Sequence, residues 1–284
     1  MKRLIKLGLV VIVAALTCSA QQVEKRRPGK TPIFGPARSV RIERAEITSR
    51  DGQLIEGPRK PIAMITYNED GTRLEHTLFR AYGSISDRVN EAYDPDGRIL
   101  ESTGFKGNGD PGVQMVYNYD QNKKLIEQTF YRPDGSIAHK TTFVYQENRR
   151  LHESVTFDVN GVVVSKVTGT LDLKTHRMET ISQRLTEVIA RQASFTDTPE
   201  GQVFEETVNG NQTELTFTHR LGKQGAEVTR YNPDGSVKSR RRFQSELDSH
   251  RNLVKQIELA PVNGSDTFRP VGVRYFTIEY YGKD

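Results

Sequence analysis

The amino-acid sequence predicts an all-β chain: an antiparallel meander of hairpin repeats with a 26-residue, two-strand period, forming an open or curled sheet. Three observations lead there. First, an aromatic residue, a short polar run, a glycine and an apolar residue recur, as YNEDGTRL from Tyr67, YDPDGRIL from Tyr93, YRPDGSIA from Tyr131, FDVNGVVV from Phe157 and YNPDGSVK from Tyr231. Degenerate copies begin at Phe79, Phe105, Tyr119 and Tyr145, so the lead residues alternate at gaps of 12 and 14. Second, three columns hold one 26-residue phase: Gly83, Gly109, Gly135 and Gly161; Glu75, Glu101, Glu127, Glu153 and Glu179; Phe79, Phe105, Tyr131 and Phe157. Third, the runs between motifs are rich in Val, Ile, Thr, Phe and Tyr, and at seven to nine residues they suit strands and fall short of ordinary helices.

Taken in order, the chain opens with the layout of a secretory signal peptide over residues 1–20. Lys2, Arg3 and Lys6 precede the apolar run LGLVVIVAAL, and small residues offer cleavage between Ala20 and Gln21. That run is too short to span a bilayer, which takes about 20 residues. A lipid anchor at Cys18 is the variant; Ala15 and Thr17 stand where lipoprotein signals usually carry Leu and a small residue, which speaks against it. Cys18 is the one cysteine, so cleavage leaves no disulfide, and stability must come from packing and sheet hydrogen bonds. Residues 21–36 are polar and proline-containing and read as a flexible tether.

The repeat domain is expected over 37–284. Residues 37–66 carry the strand-like runs ARSVRIERAEI and KPIAMITY around the turn SRDGQ, and the regular array covers 67–180. Its turn glycines, Gly71, Gly83, Gly97, Gly109, Gly135, Gly161 and Gly235, supply the positive φ that tight hairpins require. In YDPDG and YRPDG the proline presets φ at the start of the turn. Lys123 and Arg149 stand in the glycine position of two copies. Over 181–216 the phase weakens. ISQRLTEVIARQASF has helical spacing at Ile181, Leu185, Val188 and Ile189, yet strands are favoured because every neighbour is a hairpin. Strands resume over 217–284 and end in VGVRYFTIEYY.

Alternation places Leu125, Glu127, Thr129 and Tyr131 on one face and Ile126, Gln128 and Phe130 on the other; Leu151, Glu153, Val155 and Phe157 repeat the first set. The aliphatic at the strand start and the aromatic at its end are the expected buried anchors. With polar residues mid-strand on both faces, modest burial is expected.

The motif YDPDGRILES at Tyr93–Ser102, with YNPDGSV, YRPDGSI and YNEDGTRL as variants, resembles the RHS or YD repeats of bacterial surface and secreted proteins. The resemblance covers about 67–180 and 231–255. It implies a hairpin array and no particular activity, since the large members wrap many more repeats around a carried toxin domain. MORN-type repeats rank second, having usually a shorter period and more glycines.

No enzyme signature appears. The six histidines, His76, His139, His152, His176, His219 and His250, show no ligand spacing, and no nucleophile elbow or phosphate loop is present. No cofactor or metal is expected. The glutamates of the Glu75 column recur on every second strand, about 9.5 Å apart, too far for paired-carboxylate catalysis. They read as solubilising residues paired with Lys or Arg across the strand. The formal charge of +5 falls to +2 without the leader, so nucleic acid is not an expected partner. The basic runs Lys25–Arg27 and Arg240–Arg242 read as solvated charge. The sequons at Asn211 and Asn263 would matter only in a glycosylating host, and the leader looks bacterial. The expected function is a non-catalytic, exported interaction module, periplasmic or extracellular, with a protein or glycan partner met at long β edges and aromatic rims. The alternative is a periplasmic carrier curling around a lipid-like ligand; hydrolysis at 180–230 has no positive feature behind it.

Overall fold

The computed structural model describes residues 33–145, 151–172, 177–184, 187–198, 201–208, 211–220, 225–232, 234–262 and 265–282. The signal-peptide region, the Ala20–Gln21 junction, Cys18 and most of the expected tether lie outside them. No helix occurs among the described residues. The strands of the first half are β1 (Ala37–Arg50), β2 (Gln53–Glu56), β3 (Lys60–Tyr67), β4 (Arg73–Phe79), β5 (Ile85–Tyr93), β6 (Ile99–Lys106), β7 (Pro111–Tyr119), β8 (Leu125–Tyr131), β9 (Ile137–Tyr145) and β10 (Leu151–Phe157). Those of the second half are β11 (Val163–Asp172), β12 (Arg177–Arg184), β13 (Glu187–Thr198), β14 (Gly201–Val208), β15 (Asn211–Arg220), β16 (Gly225–Tyr231), β17 (Val237–Leu247), β18 (Leu253–Pro261) and β19 (Phe268–Tyr280). The described residues of ISQRLTEVIARQASF are therefore strand, in β12 and β13; neighbouring hairpins on both sides override the helical spacing.

From β3 to β19 each strand pairs antiparallel with the next, as a meander must when a turn comes every 12 to 14 residues. β1 joins the ends of the run: Ile42 lies opposite Ala63 of β3 on one side and Phe276 of β19 on the other. The ladder therefore runs from β3 through β19 to β1 and back to β3. Of the two expected forms the sheet is the curled one, and the long free β edges expected as binding surfaces are paired. A meander of nineteen strands would otherwise leave two long unpaired edges, which proteins rarely leave exposed.

The buried core sits at this seam. Ala37, Val40 and Tyr67 are 2–4% exposed, with Ile42, Ile65, Phe276, Ile278 and Tyr280 packed around them. A polar latch adjoins it. Asn252, 4% exposed, accepts the Phe34 amide through Oδ1 (2.7 Å) and donates through Nδ2 to the Phe34 carbonyl (2.8 Å) and the Tyr280 hydroxyl (2.8 Å). Tyr280 in turn donates to Asp248 (2.7 Å). Burial alone would raise Asp248, but the bonds from Tyr280 and the Asn252 and His250 amides outweigh it and hold the carboxyl below its usual range. The latch ties residues 33–36, the end of the expected tether, to the β17–β18 turn and the last strand.

The hairpins of the regular array close in one way. In YDPDG the Gly97 amide donates to the Asp94 carbonyl and the Asp94 amide to the Arg98 carbonyl, both at 2.9 Å. Gly71, Gly83, Gly97, Gly109, Gly135, Gly161 and Gly235 have φ between 77° and 90°. Lys123 and Arg251 take that conformation without glycine, at 66° and 68°; Arg149 lies outside the described residues. The register then shifts by one residue, as between Ala92 and Tyr93 against Glu101 and Ile99. This is the turn-plus-bulge geometry of a longer hairpin loop.

The bulge corrects the expected faces. Leu125 pairs with Tyr119 and Leu151 with Tyr145, across a register shift from Glu127 and Glu153, so neither leucine shares the glutamate face by simple alternation. The expected anchors are also not the most buried residues. In β4–β9 the fully buried side chains are Thr77, Ser102 and Thr129, whereas Leu74, Leu100 and Ile126 near strand starts are 41–43% exposed. Mid-strand residues have neighbours on every side, while strand ends stand at open rims.

Candidate functional site

Tyr67, Tyr93, Tyr119 and Tyr145 end β3, β5, β7 and β9, again 26 residues apart. They line one rim at intervals of about 9.5 Å, two strand spacings. Tyr67 is buried at the seam, where its carbonyl accepts the Tyr281 hydroxyl (2.6 Å). The other three are half-buried, and burial is the main cause that raises each hydroxyl's pKa above the usual phenol range. Tyr119 donates to the Ile99 carbonyl (2.9 Å), laying its ring back over the preceding hairpin. There Arg98 lies 5.1 Å from the ring centroid, and Lys124 lies 5.3 Å from that of Tyr145. Asp94 and Asp96 hold Arg98, and Asp96 also takes Lys123 at 2.8 Å. The rim thus alternates aromatic rings with cations whose charge is partly met by turn aspartates.

Two grooves open along this rim, the first between residues 33–37 and the β3–β4 turn, the second between the β3–β4 and β5–β6 turns. One, of about 260 Å³, is lined by Ile33, Gly35, Ala37, Tyr67, Asp70 and Gly71. The other, of about 230 Å³ and one repeat further on, is lined by Thr72, Leu74, Glu91, Tyr93, Asp94 and Gly97. Both are smaller than ordinary small-molecule clefts and open to the side. They suit a single protruding group, such as a side chain or a sugar ring.

The second groove contains an ion pair that occurs in no neighbouring repeat. Arg73 binds Glu91 through two nitrogens, and Tyr93 donates to the same carboxylate (2.6 Å). One period on, the matching positions are Ile99 and Tyr117. His76 is lowered by burial and then by Arg73, so its neutral form is favoured.

Three members of the glutamate column, Glu75, Glu127 and Glu153, pair with Lys or Arg across the strand as expected, and Glu101 pairs with a glutamine instead. Each glutamate reaches the residue 13 positions on: Glu75 to Arg88 (3.8 Å), Glu101 to Gln114 (2.9 Å), Glu127 to Lys140 (3.5 Å) and Glu153 to Lys166 (2.6 Å). Thr77, Thr103 and Thr129 donate to the first three. The Thr103 hydroxyl and the Gln114 amide hold Glu101 below the usual carboxylate range. The Glu179 side chain lies outside the described residues. The Arg240–Arg242 run is likewise neutralised, by Glu227 and Asp266 for Arg240, Glu258 for Arg241 and Glu227 for Arg242; Phe268 packs under two of these guanidiniums. Lys25–Arg27 fall outside the described residues. Among the described residues the histidines do not converge: His139 stacks on Phe130 at 4.1 Å and His250 lies against Tyr280 at 4.8 Å. The side chains of His152, His176 and His219 lie outside them. Among the described residues no group of three His, Cys, Asp or Glu has metal-binding geometry.

Sequence reasoning found the tyrosines as lead residues but not the cations over their rings. The signal was present, since Arg98 and Lys124 each sit five residues after a tyrosine of the column. The Arg73–Glu91 pair was legible only as two charges in columns otherwise apolar or aromatic.

No protein-family model and no curated relative matches the chain. Among solved structures it is similar to a porin-like protein from Bacteroides uniformis, at 11% identity over 89% of this chain and 100% of that one, with a TM-score of 0.41. It is also similar to part of a TcdB2–TccC3–Cdc42 structure, at 10% identity over 82% of this chain and 17% of that one, TM-score 0.19. TcdB2–TccC3 without its hypervariable C-terminal region gives 11%, 80%, 17% and 0.20.

Proposed function

We propose that the chain is a non-catalytic, exported β-hairpin repeat protein of the RHS or YD type, acting as a binding module in the bacterial envelope or outside the cell. The observation that carries the proposal is the rim of Tyr93, Arg98, Tyr119, Lys124 and Tyr145, whose rings and cations recur at a fixed interval beside shallow grooves. A repeated display of this kind engages an extended or repetitive partner through several weak contacts, either a glycan or a protein surface. Export rests on the leader at residues 1–20. The carrier alternative asks for one continuous apolar face, whereas polar residues occupy mid-strand positions on both faces, among them Glu127 and Thr129 against Gln128.

The test is co-sedimentation of the purified exported form with envelope fractions of its host. Wild type is expected to sediment with the envelope, and Tyr119→Ala with Lys124→Ala to stay in the supernatant. Glycosidase or protease treatment of the fraction then separates a glycan from a protein partner. Equal sedimentation of wild type and variant would remove the rim from the account.

A further inference from the structure

β2 and the distal part of β1 form a two-stranded tongue that pairs only with itself. Ile47–Arg50 of β1 face Gln53–Glu56, beyond the last β1 partners on β19 and β3, Glu46 and Arg44. Every other strand has an antiparallel neighbour on each side, so the tongue carries the exposed edges of the described sheet. All four residues of β2 are exposed, including Leu54 at 55% and Ile55 at 44%. Two-stranded hairpins are marginal in water and exposed apolar edges invite a further strand.

The turn determines which backbone groups face outward. Asp51 and Gly52, at φ 53° and 78°, form a two-residue loop with both central residues at positive φ. Arg50 and Gln53 are then a hydrogen-bonded pair, as are Thr48 and Ile55, and the Gly57 amide bonds the Glu46 carbonyl at 2.9 Å in the same alternation. The amide and carbonyl groups of Leu54 and Glu56 therefore point away from β1, to the open edge.

We infer that this edge pairs antiparallel with the same edge of a second copy of the chain. Only residues whose groups both point outward can form a hydrogen-bonded pair. The register that uses both outward residues sets Leu54 opposite Glu56 of the other copy, twice. It gives four interchain backbone bonds and places Ile55 against Ile55 at the two-fold axis, in the closer, non-hydrogen-bonded site. No like charges face each other, and Glu56 is already engaged by the Tyr275 hydroxyl (2.8 Å) and Arg59 (3.5 Å). The neighbouring register that opposes Glu56 to Glu56 brings two carboxylates together. Only this register gives four backbone bonds with no carboxylates opposed, and the strand's four residues limit the association to a weak dimer.

Sedimentation velocity over a concentration series of the exported form, from Gln21 onward, tests this. Wild type is expected to move from monomer to dimer. Leu54→Pro removes an amide that bonds nothing within the tongue, so the fold is retained by circular dichroism while the association constant falls at least about tenfold. Ile55→Lys sets two cations face to face at the axis and abolishes the dimer at low salt. A wild type that stays monomeric throughout overturns the inference, as does a dimer that neither substitution weakens. Binding of an extended peptide from another protein to a monomeric tongue would overturn the second copy as the occupant.

Discussion

Asn252→Ala removes the centre of the latch that holds residues 33–36 against the last strand. The side chain makes three hydrogen bonds, to the Phe34 amide and carbonyl and to the Tyr280 hydroxyl, and is 4% exposed. At about 1 kcal/mol each, with little water to replace them, the loss is about 3 kcal/mol. For a chain of this size that is a fall of roughly 6–12 °C in Tm. Urea unfolding followed by far-ultraviolet circular dichroism measures it, with an unchanged slope showing that the same surface unfolds. Amide exchange at Phe34 supplies a local readout, since its protection depends on the Asn252 oxygen. The latch is also acid-sensitive. Asp248 is depressed in the folded chain, so its contribution is complete above the unfolded carboxylate value near 4 and is lost as pH falls through the lower folded value. An Asn252→Ala variant within about 0.5 kcal/mol of wild type, with Phe34 exchange unchanged, would refute the docking of residues 33–36.

Further outcomes concern the Arg73–Glu91 pair, two turn positions and His76. Glu91→Ala leaves Arg73 unpaired and costs about 2 kcal/mol, less than for a wholly buried pair because Arg73 is 36% exposed. Arg73→Ile with Glu91→Tyr, the residues one repeat on, restores most of the loss in a double-mutant cycle. Gly135→Ala costs roughly 1–2 kcal/mol through its φ of 81° alone, since nothing lies within 4 Å of the added Cβ, and Lys123→Gly gains about 0.5 kcal/mol; chemical denaturation reads both. His76 is depressed, so stability is full above pH 6.5 and declines as the solution becomes more acid; His76→Gln flattens that decline when unfolding is measured from pH 7 to 5.

Local chemistry made most of the fold legible. Asp-Gly and Asn-Gly steps specify turns by themselves, and the 26-residue columns place strands two by two, because both signals lie within a few residues of where they act. Residues distant in sequence decide the rest. That β1 would lie between β3 and β19 depends on Ile42 meeting both Ala63 and Phe276, and no periodicity records such a meeting. The bulge after each turn of the regular array was implicit in Gly97 and its neighbours, yet it turns Leu125 and Leu151 away from the glutamates that simple alternation gave them as companions. At the rim, the tyrosine column was visible as a repeat, whereas its cations became meaningful only when Arg98 was found over Tyr119, a partner 21 positions away.

Native mass spectrometry of the exported form, purified gently from the envelope fraction of its own host, tests the proposed binding function most directly. The account predicts a protein or glycan bound in fixed proportion, and its loss from the Tyr119→Ala, Lys124→Ala variant. A bound lipid of constant mass, retained by that variant, would contradict it and establish the carrier in its place.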